Sequence, residues 1–115
     1  MRKIFVAAIV GLIICAGVKA EAAEIFVGRS PATGFDCYVL TNTIDRYNEE
    51  RMVITSVTLK MIDSHGDDYY LDYKFFALDG GDDDVQFTNS DGYKGMVDEY
   101  NTPIEWAIYA VTKDY

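Results

Sequence analysis

An α+β fold is predicted, an antiparallel meander of about five or six strands with one C-terminal helix packed on the sheet, and three features carry that expectation. From residue 24 to about residue 100, short runs of alternating apolar and polar residues recur. Turns rich in Gly, Asp and Asn separate them at hairpin spacing, too close for parallel crossovers. Only after Pro103 does the apolar spacing become helical.

The chain opens with a segment that belongs to export. Met1-Arg2-Lys3 is cationic, and Ile4 to Val18 is an uninterrupted run without a charged side chain. These are the n- and h-regions of a signal peptide, and the run falls short of the ~20 residues that span a bilayer. Val18-Lys19-Ala20 places neutral or small residues where signal peptidase requires them, so residues 1–20 are assigned to the leader and 21–115 to one small domain. Ala20-Glu21-Ala22 offers a second cut after Ala22. Cys15 follows the bulky Ile14, which argues against a lipid-modified cysteine. The product is expected to be secreted or periplasmic, with no stable membrane insertion after cleavage.

Within residues 21–115, Glu24 to Val27 is a short β-prone run closed by Gly28 and by the loop Ser30-Pro31-Ala32-Thr33-Gly34. Asp36 to Ile44 places Cys37, Val39, Thr41 and Thr43 on one face and Tyr38, Leu40 and Ile44 on the other. Asp45 to Glu50 reads as a polar connection. Met52 to Ile62 carries Val53, Val57, Leu59 and Met61 in alternation, and Tyr69 to Leu78 sets Tyr69, Leu71, Tyr73, Phe75 and Ala77 against Tyr70, Asp72, Lys74 and Phe76. Asp63-Ser64-His65-Gly66-Asp67 joins these two runs as a hairpin turn. Asp79-Gly80-Gly81-Asp82 leads to a strand around Val85 to Thr88, and Asn89-Ser90-Asp91-Gly92 leads to one over Tyr93 to Tyr100, with Gly95 as a bulge or close approach. Thr102-Pro103-Ile104-Glu105 has the order of a capping box with proline at the first helical position. A helix from Pro103 to about Lys113 then aligns Ile104, Ala107, Ile108 and Val111; a last strand over Trp106 to Thr112 is the competing reading.

Charge and cysteine usage narrow the chemistry. The 115-residue chain carries −9, and residues 21–115 carry −12, because Arg2, Lys3 and Lys19 lie in the leader and no acidic residue does. Such a chain, lacking a basic patch, repels phosphate backbones; nucleic acid is excluded and anionic membranes are disfavoured. Disordered acidic chains are poor in aromatics, whereas all nine tyrosines and the single tryptophan lie after residue 20. Loss of Cys15 leaves Cys37 alone, so no internal disulfide forms, and Cys37 reads as a small hydrophobe on a strand rather than as a reactive or intermolecularly paired thiol.

Catalytic sets are missing. His65 is the only histidine and lies in a turn, too little for zinc or for a Cys37–His65 pair. There is no GxSxG elbow and no phosphate-binding glycine loop, so no nucleotide cofactor is expected. Asp79-Gly80-Gly81-Asp82-Asp83-Asp84 is acidic enough for calcium but lacks the EF-hand order, and a solvated turn is the preferred reading. The reading that follows is a non-catalytic exported protein that binds another protein or an envelope component, with inhibition of a basic secreted enzyme such as a lysozyme as its most specific form. A calcium-stabilised module using the Asp79–Asp84 turn and a small carboxylate-dependent enzyme are the alternatives. Tyr70 and Phe76, on the more polar face of their strand, are the candidate contact residues.

Overall fold

A computed structural model describes residues 22–78 and 84–115. The leader expected over residues 1–20 and the Asp79–Asp83 part of the acidic turn lie outside the described residues. Six strands follow in chain order: β1 (Glu24–Arg29), β2 (Asp36–Glu49), β3 (Met52–Ile62), β4 (Asp68–Leu78), β5 (Gln86–Asn89) and β6 (Lys94–Met96). Each pairs antiparallel with its neighbour in sequence, so the sheet order is simply β1 to β6. The sheet curls into a half-barrel, and the helix α1 (Pro103–Thr112) packs inside it, chiefly on β1 and β2. Among the described residues, sheet, helix and core all lie within residues 24–112. The expected α+β meander is what the chain adopts, and the last apolar run is the helix.

The inner face is where alternation placed it. Cys37, Val39, Val57, Leu59, Tyr73, Phe75, Ala77, Val85 and Phe87 form one buried cluster with Ile108 of α1. Rings interlock across the strands: Phe75 lies 5.3 Å from Tyr109 and 6.3 Å from Phe87, centroid to centroid, both tilted. Such geometries fall in the attractive range for aromatic pairs.

Three local departures from the sequence reading matter. First, β2 does not stop at Ile44 but runs to Glu49, because a bulge between Leu40 and Asp45 lets Asp45–Glu49 pair with Met52–Ser56. Four residues, Thr41 to Ile44, stand opposite Val57 alone. This odd excess reverses the alternation: Cys37, Val39 and Thr41 point inward before it, whereas Ile44 packs on the core after it. Threonines satisfy the interrupted ladder. Thr43 Oγ1 donates to the Leu40 carbonyl at 2.6 Å and accepts from the Thr58 N–H at 2.8 Å, and Thr41 Oγ1 accepts from the Ala23 N–H at 2.9 Å.

Second, the strand expected over Tyr93 to Tyr100 is only Lys94–Met96. Asp98 ends it by accepting from the Asn101 and Thr102 N–H groups, at 2.9 Å each, which bends the chain toward the helix. Gly95 is not a bulge: it pairs in register with Phe87, and a Cβ added there would be in ordinary contact with the Phe87 ring, 3.5 Å away. Third, the capping box does not form. Thr102 Oγ1 bonds Met96 and Asp98 backbone groups instead of the helix, and Glu105 reaches across to β4. A tertiary partner has outcompeted the local one.

The helix is seated by two contacts. Gly28, at φ +135° in a β1 bulge, adopts a backbone conformation that favours glycine, and an added Cβ would lie a tight 3.1 Å from Ile104 Cδ1 of the helix. At the other end the Arg46 guanidinium donates to the Thr112 carbonyl, placing a cation on the helix C-terminus, where exposed carbonyls favour one. The sequence pattern puts Arg46 in a polar connection; the extended β2 is what brings it to the helix end.

Candidate binding surface

Helix and core occupy the inner face, and among the described residues the outer face of the sheet is the broad unshared surface. Its pattern comes from cross-strand register. Phe26, Tyr38, Lys60 and Tyr70 are aligned one strand after another across β1 to β4. At about 4.8 Å per strand this row extends about 14 Å. Phe26 and Tyr38 touch, with centroids 5.4 Å apart and rings tilted by 57°. Phe26 is 55% exposed and Tyr70 57%. The Lys60 stem lies between Tyr38 and Tyr70, and its ammonium is drawn sideways to Glu24, at 3.2 Å, and toward Asp68, at 4.0 Å.

Carboxylates bracket the row. Glu24 and Asp72 stand in the next register row toward the sheet centre, and Asp36 and Asp68 in the row toward the loop end. Arg29 pairs with Asp36 at 3.0 Å, and Thr58 Oγ1 donates to Asp72 Oδ1 at 2.8 Å. An exposed Arg–Asp pair of this kind contributes at most about 1 kcal/mol to stability, so its consequence here is chiefly electrostatic. Aromatic faces rimmed by more acids than bases result.

A second outer row joins Tyr47, Ile54, Phe76, Gln86 and Met96. It differs in kind, because Ile54 is only 4% exposed and Phe76 is half-buried, whereas Tyr70 stands clear. The two candidate contact residues named from the sequence therefore separate: Tyr70 is a surface residue, and Phe76 contributes to packing.

The hairpin turn between β3 and β4 adds a rigid acidic corner. Asp63 Oδ1 accepts from the His65 and Asp67 N–H groups at 2.9 Å each, and Oδ2 accepts from the Tyr69 hydroxyl at 3.2 Å. Those donors, the Asp67 N–H foremost, hold the Asp63 carboxyl below its ordinary value. Phe35 stacks on Tyr69 with centroids 5.4 Å apart and rings within 15° of parallel. His65 is exposed in this turn, as its sequence position suggested.

The titratable groups of the interior are structural in geometry. Cys37 is 1% exposed, and burial pushes its thiol above the ordinary value. The Tyr73 hydroxyl donates to Glu105 Oε2 at 2.8 Å, tying β4 to the helix. Burial first, and then the charge of Glu105, push the Tyr73 phenol far above 10.0. A phenol with a raised folded-state value contributes stability below pH 10.0 that is lost as pH rises past it, since the unfolded chain ionises first. Stability is thus expected to fall from about pH 10 upward, less steeply in Tyr73→Phe, when urea midpoints are compared across pH. Among the described residues no group of three His, Cys, Asp or Glu is placed to hold a metal ion. Asp84, the described end of the acidic turn, is exposed and left-handed at φ 59°.

No family model, curated protein or solved structure matches this chain. Any function is therefore argued from these surfaces alone.

Proposed function

We propose that this chain is an exported, non-catalytic binding protein that docks through the outer face of its sheet onto another protein or an envelope component. The observation that carries this reading is the in-register row Phe26–Tyr38–Lys60–Tyr70, in which two aromatic side chains stay more than half exposed. Exposed aromatics aligned on a rigid strand framework lose little side-chain entropy on contact, and their amphipathic rings are enriched at interfaces. The leader-like segment Met1 to Ala20 supports export, and the charge of −9 supports a cationic partner, with a basic secreted enzyme as the favoured class.

Affinity capture from envelope and medium fractions, with residues 21–115 as bait, tests the reading. One protein is expected to be retained in comparable amount by the parent chain and lost with Phe26→Ala plus Tyr70→Ala, both exposed positions whose truncation leaves the core intact. Retention that ignores both substitutions would remove the outer row from the reading. Weakening by about 0.5 M salt is expected if charge steers the contact, and unchanged affinity would dismiss that part.

A further inference from the structure

Three adjacent outward positions on β4 are Asp68, Tyr70 and Asp72. Alternate residues of a strand share a face and lie about 7 Å apart, so an exposed aromatic ring is flanked on both sides, along one strand, by carboxylates. Among the described residues the Tyr70 side chain makes no hydrogen bond and no ring contact, although it is neighbour to the Lys60 stem. The Lys60 ammonium is directed to Glu24. Asp68 is 4.0 Å from that ammonium with its side chain 43% exposed, and Asp72 is held by Thr58 through Oδ1. Ring and carboxylates are thus set in place by the sheet.

We propose that Asp68, Tyr70 and Asp72 form a receptor for an arginine side chain of a basic partner protein, a proposal that rests on the binding-face reading above. A guanidinium is planar: it stacks on a tyrosine ring while its N–H fork reaches a carboxylate at the ring's edge. Carboxylates on both sides of the ring let that fork be met from either direction along the strand. A lysine ammonium is more strongly hydrated and has no plane to stack, so the site discriminates between the two cations. The flat aromatic row running from Tyr70 to Phe26 then receives the surface that surrounds the arginine. The excess of negative charge over the whole chain draws such a partner in.

The test uses residues 21–115, which contain every described strand and the helix, with two soluble probes: a short peptide alternating arginine with glycine, and its lysine counterpart. Affinities are measured by calorimetry at about 0.15 M salt, and contact positions by amide shifts. The arginine peptide is expected to bind at least about fivefold tighter than the lysine peptide, with shifts centred on β4. Asp68→Asn with Asp72→Asn is expected to weaken it about tenfold, Tyr70→Leu comparably, and Tyr70→Phe little. Glu49→Gln with Glu50→Gln removes equal charge at the far end of the sheet and is expected to change affinity less than about twofold. Equal losses in the two double variants, no preference for arginine, or indifference to Tyr70→Leu would each overturn the receptor. A captured partner that depends on Phe26 and Tyr70 but ignores Asp68→Asn and Asp72→Asn overturns the arginine receptor while leaving the binding face standing.

Discussion

Phe75→Ala is expected to destabilise the domain by about 3–5 kcal/mol, a large share of the ~5–15 kcal/mol that holds a domain of this size together. Phe75 has no exposed surface and stands at the crossing of the inner-face contacts. Its ring meets Tyr73, Phe87 and Tyr109, so truncation empties a space bordered by β4, β5 and the helix at once. All three neighbours are large rings with few rotamers, so the cavity collapses poorly. The adjacent Phe76 provides the comparison, because it points to the other face and is half-buried. Phe76→Ala is expected to cost about 1–2 kcal/mol. Urea denaturation at constant slope measures both. A smaller loss for Phe75→Ala than for Phe76→Ala would mean that the inner face is not the core.

Cys37 should be labelled by a thiol reagent at least about a thousandfold more slowly in the native domain than in the urea-unfolded chain. Two physical causes act together. The thiol is 1% exposed in the buried cluster that β2 shares with Ile108 of α1, and burial raises its pKa, whereas the thiolate is the reacting species. Reaction therefore waits for an opening event, and a core strand opens with a free energy near that of global unfolding. The raised value also sets the direction with pH. Its stabilisation is present below the ordinary 9.0 and is lost as pH rises past that point, because the unfolded chain ionises first. Labelling should accelerate above pH 9.0 beyond the gain in free thiolate. The measurement uses residues 21–115, in which Cys37 is the sole cysteine. Labelling at the unfolded rate would mean that the interior of β2 is accessible. By the same barrier, disulfide-linked dimers are expected only from unfolded chains.

Much of the architecture was legible because alternation and turn chemistry are local signals. The strands at Met52–Ile62 and near Tyr69–Leu78 stand out as amphipathic runs around Asp63–Asp67, and the hairpin they form follows without reference to the rest of the molecule. Pro103 and the spacing of Ile104 and Ile108 mark the helix in the same way. The candidate surface was half legible. Tyr70 and Phe76 share a period and hence a face, but their burial differs with what stands beside them in register: the buried Ile54 beside Phe76, and the Lys60 stem beside Tyr70. Phe26 belongs to the row only through its register with Tyr38, which no pattern within β1 reveals.

The sequence by itself determined the class of fold, the strand order and most of the inward-facing set, because side-chain period and turn residues act within a few positions of one another. Tertiary structure alone decided where β2 ends, which face Ile44 takes and what Arg46 and Glu105 touch. A bulge re-phases a strand against its partner, and the Thr41 and Thr43 hydroxyls that stabilise it act on Ala23 and Thr58, far away in sequence. Glu105 likewise had a local partner on offer in Thr102, and the buried hydroxyl of Tyr73 won, since a phenol under the helix needs an acceptor more than a solvent-accessible helix end needs a cap.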